Sequence, residues 1–461
     1  MGLLRKLTSF FPCLPSLAPA HDLVSGFFLF SAHHASRSSI ALVARFPLPA
    51  MSSPPTFRES LRAFPPAFWA LIGATFVNKF GVFVVPFLTI FMTRSGFTPA
   101  QAGLTVAAYA AGGFLAAGLG GWMADRVGRN ITMATASFTG AAAMMLLSQA
   151  HTFPLLVSLA FLTGLFMEAG NPATSALVQD IIPVEHRLAA YAVMRFSVNL
   201  GWAVGPMAAG FLAEHSFFWL FAGDAATAVF FGLVALILLP KGNRGTRQTS
   251  GWGHALASIR RNRPFLALAA ACVTISIVFR QLTTTFALHF EISVPALDWH
   301  GFHFKPLELY GFVMAVNGMM ICLMEMPLTA VTRAWPVRNC IAMGYIGMSV
   351  SFLVLSFGVG LGAFLLAMVV FTFGEMMAFS RQQAYAASLA PDDMRGRYSG
   401  FLSWAWSLGN ISASAFSLGM YQYSPDLVWL SSVVLGVLGA LLIAGRISRP
   451  VTTATPAVSI P

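Results

Sequence analysis

Long apolar runs, parted by short polar or glycine-rich loops, dominate this chain. A helical crossing of a bilayer needs about 20 mostly apolar residues. Twelve runs of that kind occur, near 66–92, 99–122, 130–150, 152–178, 188–213, 217–239, 264–289, 307–331, 338–358, 360–382, 397–421 and 427–446. Backbone groups in lipid must find partners within their own segment, so each run is expected to be a helix. The pattern predicts an all-α integral membrane protein whose solvent is the lipid bilayer.

Composition supports this. Of 461 residues, 57% are hydrophobic and 9% are charged, against about 25% charged in a soluble domain. So few ionic groups cannot cover a water-facing surface. The net charge of +11 is spread along loops, and no basic patch interleaved with stacking aromatics points to nucleic acid. With both termini inside, the inner loops hold Arg126, Arg129, Arg187, Lys241, Arg244, Arg247, Arg260, Arg261, Arg263, Arg333, Arg338, Arg395 and Arg397, and the outer loops hold only Arg94 and Lys305. That asymmetry sets the expected topology, with both termini cytoplasmic.

The expected organisation is a basic extension at 1–65, a six-helix bundle at 66–239, a polar linker at 240–263, a second bundle at 264–446 and a tail at 447–461. The extension reads as a transit peptide, as a cytoplasmic tail, or as sequence upstream of a bacterial start at Met51, the last being favoured. Cys13, Cys272, Cys322 and Cys340 show no disulfide or zinc spacing. No phosphate-loop motif is present, which disfavours an ATP-driven pump.

The two halves repeat. Pro183 to Arg187, with Gly201 fourteen residues on, recurs as Pro391 to Arg395, with Gly409 fourteen residues on. Parallel repeats of this kind occur in secondary transporters with a site between the halves. Between the second and third runs lies Gly121-Trp-Met-Ala-Asp125-Arg126-Val-Gly128-Arg129-Asn130. This stretch resembles the loop signature of the major facilitator superfamily at Gly121, Ala124, Asp125, Arg126, Gly128 and Arg129, and departs from it at Met123 and Asn130. In the fifth run, Gly201, Gly205, Pro206 and Gly210 resemble the glycine-proline motif of that superfamily's antiporters, with Ser197 and Ala209 in place of two usual glycines. The Phe373-Gly374-Glu375 run and the Arg280-Gln281 pair resemble its drug:proton antiport branch. The resemblance implies two six-helix repeats and alternating access. One departure bears on proton coupling: if Gly164 is the glycine of the fourth-run signature, the Arg that proton-coupled members carry four residues before it falls at Ala160 here.

A charge at mid-bilayer costs roughly 2.5–3.5 kcal/mol on insertion scales, so every such residue is a functional candidate. They are Lys79, Glu168, Arg195, Asp224, Arg280, Glu325 and Glu375. Glu168 lies about 18 Å from the inner end of its helix and Arg195 about 10 Å from the inner end of the next. An Arg side chain bridges that difference, so the two are expected to pair, either to exchange for a proton or as a static ion pair. Glu375 is the matching carboxylate of the second half. Arg280 with Gln281, and Asn78 with Lys79, are expected to face the cavity. Asp224 is expected near the outer end as a cap or packing group, and Glu325 near the inner gate. Gly121 is expected to let spans two and three close up. Asp125 is expected at the start of span eleven and Arg129 on Asp180, forming with Arg126 and Gly128 an inner latch between the halves, or only an anchor for the loop.

The expected protein is therefore not an enzyme and needs no cofactor or metal. It is expected to be a monomer in a bacterial inner membrane, and its expected partners are a small-molecule substrate, lipid and protons. The expected activity is proton-coupled export of small hydrophobic compounds. The rival readings are uptake of a sugar or organic anion by symport or facilitation and, remotely, a membrane-embedded transferase.

Overall fold

A computed structural model describes residues 57–81, 84–242, 252–332, 334–358, 360–391 and 394–445. The expectations for residues 1–56, for the middle of the linker and for the tail from 446 fall outside the described residues. The helices, in chain order, are α1 Phe57–Ala63, α2 Pro66–Phe80, α3 Val84–Arg94, α4 Pro99–Arg126, α5 Arg129–Ser148, α6 Phe153–Ile181, α7 Arg187–His215, α8 Phe217–Leu238 and α9 Trp252–Arg261. After these come α10 Arg263–Arg280, α11 Thr285–Ser293, α12 Pro306–Val331, α13 Val337–Val350, α14 Val354–Phe357, α15 Leu361–Leu389, α16 Arg395–Tyr421 and α17 Pro425–Ala444. A small antiparallel hairpin, β1 Leu297–Trp299 and β2 Phe302–Phe304, sits between α11 and α12.

Among the described residues, ten helical segments are long and apolar enough to cross a membrane. Two of the twelve expected runs look different. The first is broken between Phe80 and Val84 into α2 and α3. The eleventh, α16, is continuous but carries Ser403, Ser407, Asn410, Ser412, Ser414 and Ser417, which lowers its hydropathy.

Local sequence explains many of the helix starts. Pro stands in the first turn of α2, α4, α6, α10, α12 and α17, where its missing N–H costs nothing. Thr98 and Gln101 form a reciprocal capping box on α4. Asn262 Oδ1 accepts from the Phe265 N–H at 3.1 Å and caps α10. Gly128, at φ +108°, makes the tight turn from α4 to α5.

Glycine sets how closely the helices approach. A Cβ on Gly201 would lie 2.8 Å from the Phe80 nitrogen and 2.9 Å from the Lys79 carbonyl carbon, so α7 packs directly on the backbone of α2. Gly205 faces the Phe80 carbonyl in the same way. Its counterpart Gly409 packs α16 on Val273 and Ser276 of α10. The repeated Pro–Arg–Gly pattern thus does one job twice, seating the fifth run on the first and the eleventh on the seventh. Between the halves, Gly210 meets the backbone at Leu307, Gly311 that at Pro206, Gly318 that at Ala203, and Gly103 that at Ser414. Small residues at helix seams allow this approach in lipid.

One glycine expectation is corrected. Gly121 faces open space, with nothing within 4 Å of an added Cβ. The neighbouring Gly120 is the close-approach residue, and it packs α4 on the Ala169 backbone of α6 rather than on α5. Substituting Gly201 or Gly205 by Ala should therefore lower the unfolding free energy in detergent by about 1–3 kcal/mol through overpacking. Gly121→Ala should leave it within about 0.5 kcal/mol. Thermal unfolding of the three variants side by side checks the ranking.

Candidate functional site

The helix ends divide into two sets. One, the basic end, carries Arg129, Arg187, Lys241 and Arg338, and the other, the far end, carries Arg94 and Lys305. A cavity of about 710 Å³ occupies the basic half of the seam between the helices before and after the linker. A second, of about 430 Å³, continues deeper and reaches Asn78, Lys79, Asp224 and Arg280. Glu168, Asn199, Ile321, Glu375, Phe379 and Trp406 line both. Their sizes match ordinary small-molecule sites of about 300–1,000 Å³.

The intramembrane charges sort by partner. Arg195 Nη2 donates to Glu325 Oε1 across the seam between α7 and α12. This corrects the expected Glu168–Arg195 pair: Glu325 takes the guanidinium, and Glu168 accepts instead from Asn171 Nδ2 on its own helix. Arg280 of α10, from the other half, lies within Coulomb reach of Glu168. Arg280 lines the deeper cavity, and its buried Nε has no hydrogen-bond partner among the described residues.

Gln281 departs from expectation. It is 1% exposed and lines neither cavity. Its amide donates to Ser417 Oγ at 2.7 Å and accepts from Thr285 Oγ1, so it ties α10 to α16 and caps the turn into α11. Asp224 is a cap as well as a lining residue: its Oδ2 accepts the Val84 N–H at 3.1 Å. That bond places a carboxylate at the positive N-terminal end of α3, where it is stabilised by the helix dipole. It explains how the chain tolerates a break inside an apolar run, and the break exposes Asn78 and Lys79 to the cavity.

Glu375 lies in the opposing fields of Arg195 and Glu325. It lies in the lining of both cavities, and its Oε2 accepts from Asn317 Nδ2 at 2.9 Å. Asn317 also donates to Thr372 Oγ1 at 2.9 Å, which holds the amide in place. Among the described residues Glu375 forms no ion pair. One turn along the same face, Phe379 meets Phe279 and Trp406 at ring-centroid distances of 5.4 and 5.3 Å, and Phe279 meets Trp406 at 5.5 Å. Asn317, Asn199 and this aromatic trio were not singled out from sequence. Each is an ordinary span residue until the fold sets it against Glu375 or Glu168.

At the basic end, Gly128-Arg129 is bound to its own half. Arg129 Nη1 donates to Asp125 Oδ1 at 2.6 Å and Nε to Asp180 Oδ2 at 3.4 Å, and the Arg129 N–H bonds the Lys241 carbonyl at 2.8 Å. The expected Arg129–Asp180 contact is present, but it joins α5 to α6 within one half. Asp125 pairs with Arg129, and among the described residues no ion pair joins it to the start of α16. Arg126 is exposed and stacks over Trp122 at 4.8 Å. Arg187 bonds the Ile182 and Gln179 carbonyls at 3.1 and 2.6 Å and closes the C-terminus of α6.

The far end is joined across the halves. Arg94 Nε meets Glu291 Oε1 at 2.5 Å and Lys305 Nζ meets Glu214 Oε1 at 3.8 Å, while Arg94 Nη2 meets Glu214 Oε2 of its own half at 3.4 Å and links the two bridges. Phe87 packs edge-on to Tyr310 at 5.3 Å below them. The molecule is thus closed at the far end and hollow toward the basic end.

A sequence model described as the Major Facilitator Superfamily matches residues 71–414 and 288–459. The chain belongs to the major facilitator superfamily. It is a multi-pass membrane protein and a transporter, not an enzyme. Similar proteins include a Na(+), Li(+), K(+)/H(+) antiporter of Planococcus maritimus, 26% identical over 369 residues that cover 74% of this chain and 86% of that one. The quinolone resistance protein NorA of Staphylococcus aureus is 27% identical over 160 residues, covering 34% of this chain and 41% of that one. A crystal structure of a peptide transporter POT in complex with sulfate superposes with a TM-score of 0.70 at 17% identity, over 86% of this chain and 99% of that one, and so shares the fold.

The Arg195–Glu325 pair has a measurable consequence. A double-mutant cycle with Arg195→Met and Glu325→Met should give a coupling energy of about 0.5–1 kcal/mol, as for a part-exposed ion pair. Arg195→Met with Glu168→Gln should be additive within about 0.5 kcal/mol. Unfolding in detergent checks both, and the reverse ranking would restore the Glu168–Arg195 pairing.

Proposed function

We propose that this transporter is a twelve-span, proton-driven exporter of small, mostly hydrophobic compounds, working as two six-helix bundles that rock about the central cavity. The broken helix α2–α3 and the polar helix α16 would be the first and eleventh spans. The excess of Arg and Lys at the basic end favours placing that end, with both termini, in the cytoplasm of a bacterial inner membrane. The described conformation is then inward-facing, with its far end shut. Each chain is taken to work as a monomer, because one chain holds a whole cavity.

The observation that carries the reading is Glu375. It is a carboxylate inside the apolar part of the molecule, held by an amide hydrogen bond rather than an ion pair, at the edge of an aromatic trio. Such a group is neutral when protonated and costly when ionised in the absence of another cation. It can therefore exchange a proton for a ligand that brings positive charge or polar contacts. Glu168, facing Arg280 across the seam, is the second candidate proton site. Asn78 and Lys79 would contact substrate from the broken span. The Arg129, Asp125 and Asp180 cluster, with Arg126 and Gly128, is assigned to the inner gate: its bonds within one half would be exchanged for bonds across the halves when the basic end closes. Gly201, Gly205, Pro206 and Gly210 would supply the rigid close-packed hinge of α7.

A second reading, in which an inorganic cation is exported, is favoured by the Planococcus relative's printed activity and by the excess of cavity acids. Proteoliposomes separate the two. Acidifying one side should drive accumulation of a hydrophobic dye, with proton movement in the opposite sense, and Glu375→Gln should abolish the gradient dependence. Dye-independent exchange of protons for Na+ or K+ would support the second reading. Movement of dye and protons in the same direction would support uptake, and undiminished gradient-driven flux in Glu375→Gln would remove Glu375 from the mechanism.

A further inference from the structure

A third cavity, of about 390 Å³, is separate from the central site. It is lined only by apolar residues, among them Phe114 of α4, Leu266 and Val273 of α10, and Phe401, Trp404 and Leu408 of α16. It lies on the outside of the seam, with Phe114 from one half and the others from the second, and the rings of Phe114 and Trp404 are 6.2 Å apart. Trp404 and Leu408 are exposed, while Ser403, Trp406 and Ser407 on the opposite face of α16 line the central cavity. One helix therefore separates the groove from the site. From Leu266 to Val273 the groove runs about 10 Å along α10.

Its basic-end mouth is cationic. Arg263, the first residue of α10, is exposed and stands three residues before Leu266 and seven before Ala270, on the same helical face. Arg260 and Arg261 at the end of α9 are exposed beside it. Arg397 precedes Phe401 by one turn of α16. A membrane-facing apolar groove with a guanidinium collar at the headgroup end matches one ligand chemistry, an anionic phospholipid. Basic pockets between transmembrane helices bind such headgroups.

We propose that this groove is a binding site for an anionic phospholipid, with one acyl chain between Phe114, Leu266 and Trp404 and the phosphate at Arg263. Because the groove straddles the seam, its width changes when the halves rock, so the bound chain favours the conformation whose groove it fills. The site is independent of which compound is transported.

The test uses the full-length protein in detergent, exposed to phosphatidylglycerol or phosphatidylcholine and read by native mass spectrometry. Wild type should retain phosphatidylglycerol preferentially. Arg263→Gln, at an exposed position, should cut that preference about fivefold, as expected for one basic residue at an anionic headgroup. Leu266→Trp, which fills the groove, should reduce retention of both lipids. As a second readout, phosphatidylglycerol brominated on its acyl chain should quench the emission that Trp404→Phe removes. Equal retention of the two lipids by wild type, an unchanged preference in Arg263→Gln, or unchanged retention in Leu266→Trp would overturn the proposal. None of these outcomes depends on transport activity.

Discussion

The structure is governed by the cost of placing charge among apolar helices. Insertion scales put that cost at roughly 2.5–3.5 kcal/mol per group at mid-bilayer, and the molecule meets it in several ways. Arg195 and Glu325 neutralise each other across the seam. Asp224 is bound to the backbone end of α3, where a helix dipole and an unsatisfied N–H both favour a carboxylate. Glu168 has a local amide and the field of Arg280. Glu375 has an amide and, among the described residues, no ion pair, and it lies in the opposing fields of Arg195 and Glu325. That difference in compensation separates structural charges from those available to change state.

The proposed movement of the halves needs seams that are tight yet cheap to slide. Glycine on backbone gives tightness without side-chain interlocking, at Gly318 on Ala203 and Gly103 on Ser414. The bonds that close the far end are of the weak kind. Arg94 and Lys305 are 36% and 46% exposed, and part-exposed ion pairs contribute up to about 1 kcal/mol each. A few such pairs hold one conformation without making the other unreachable.

Much of the fold was legible in the sequence, because hydropathy in lipid is a long and redundant signal. The runs, the family signature and the Gly201/Gly409 repeat all depend on residues near one another in the chain. The break at Phe80–Val84 was less visible, since its stabilising carboxylate lies 140 residues away at Asp224. Site residues were legible as types but not as pairs. Glu168, Arg195, Arg280, Glu325 and Glu375 were all found as intramembrane charges, and four of them do share the first cavity's lining. Helix rise alone favoured Arg195 on Glu168, because it measures depth and ignores the rotation of each helix about its axis. That rotation turns Arg195 toward α12 and Gln281 away from the cavity.

The central claim is that a single cavity is exposed in turn at the two ends, with the far end held shut by ion pairs between the halves. The most direct test is the distance across the far end between spin labels at Gln149, after α5, and Tyr423, after α16, in a lipid-reconstituted sample. The account predicts one dominant short distance for the otherwise wild-type protein and a second, longer population when Arg94→Gln removes the Arg94–Glu291 bridge between the halves. A distribution that stays single and short in Arg94→Gln, under every condition in which transport is observed, would contradict it.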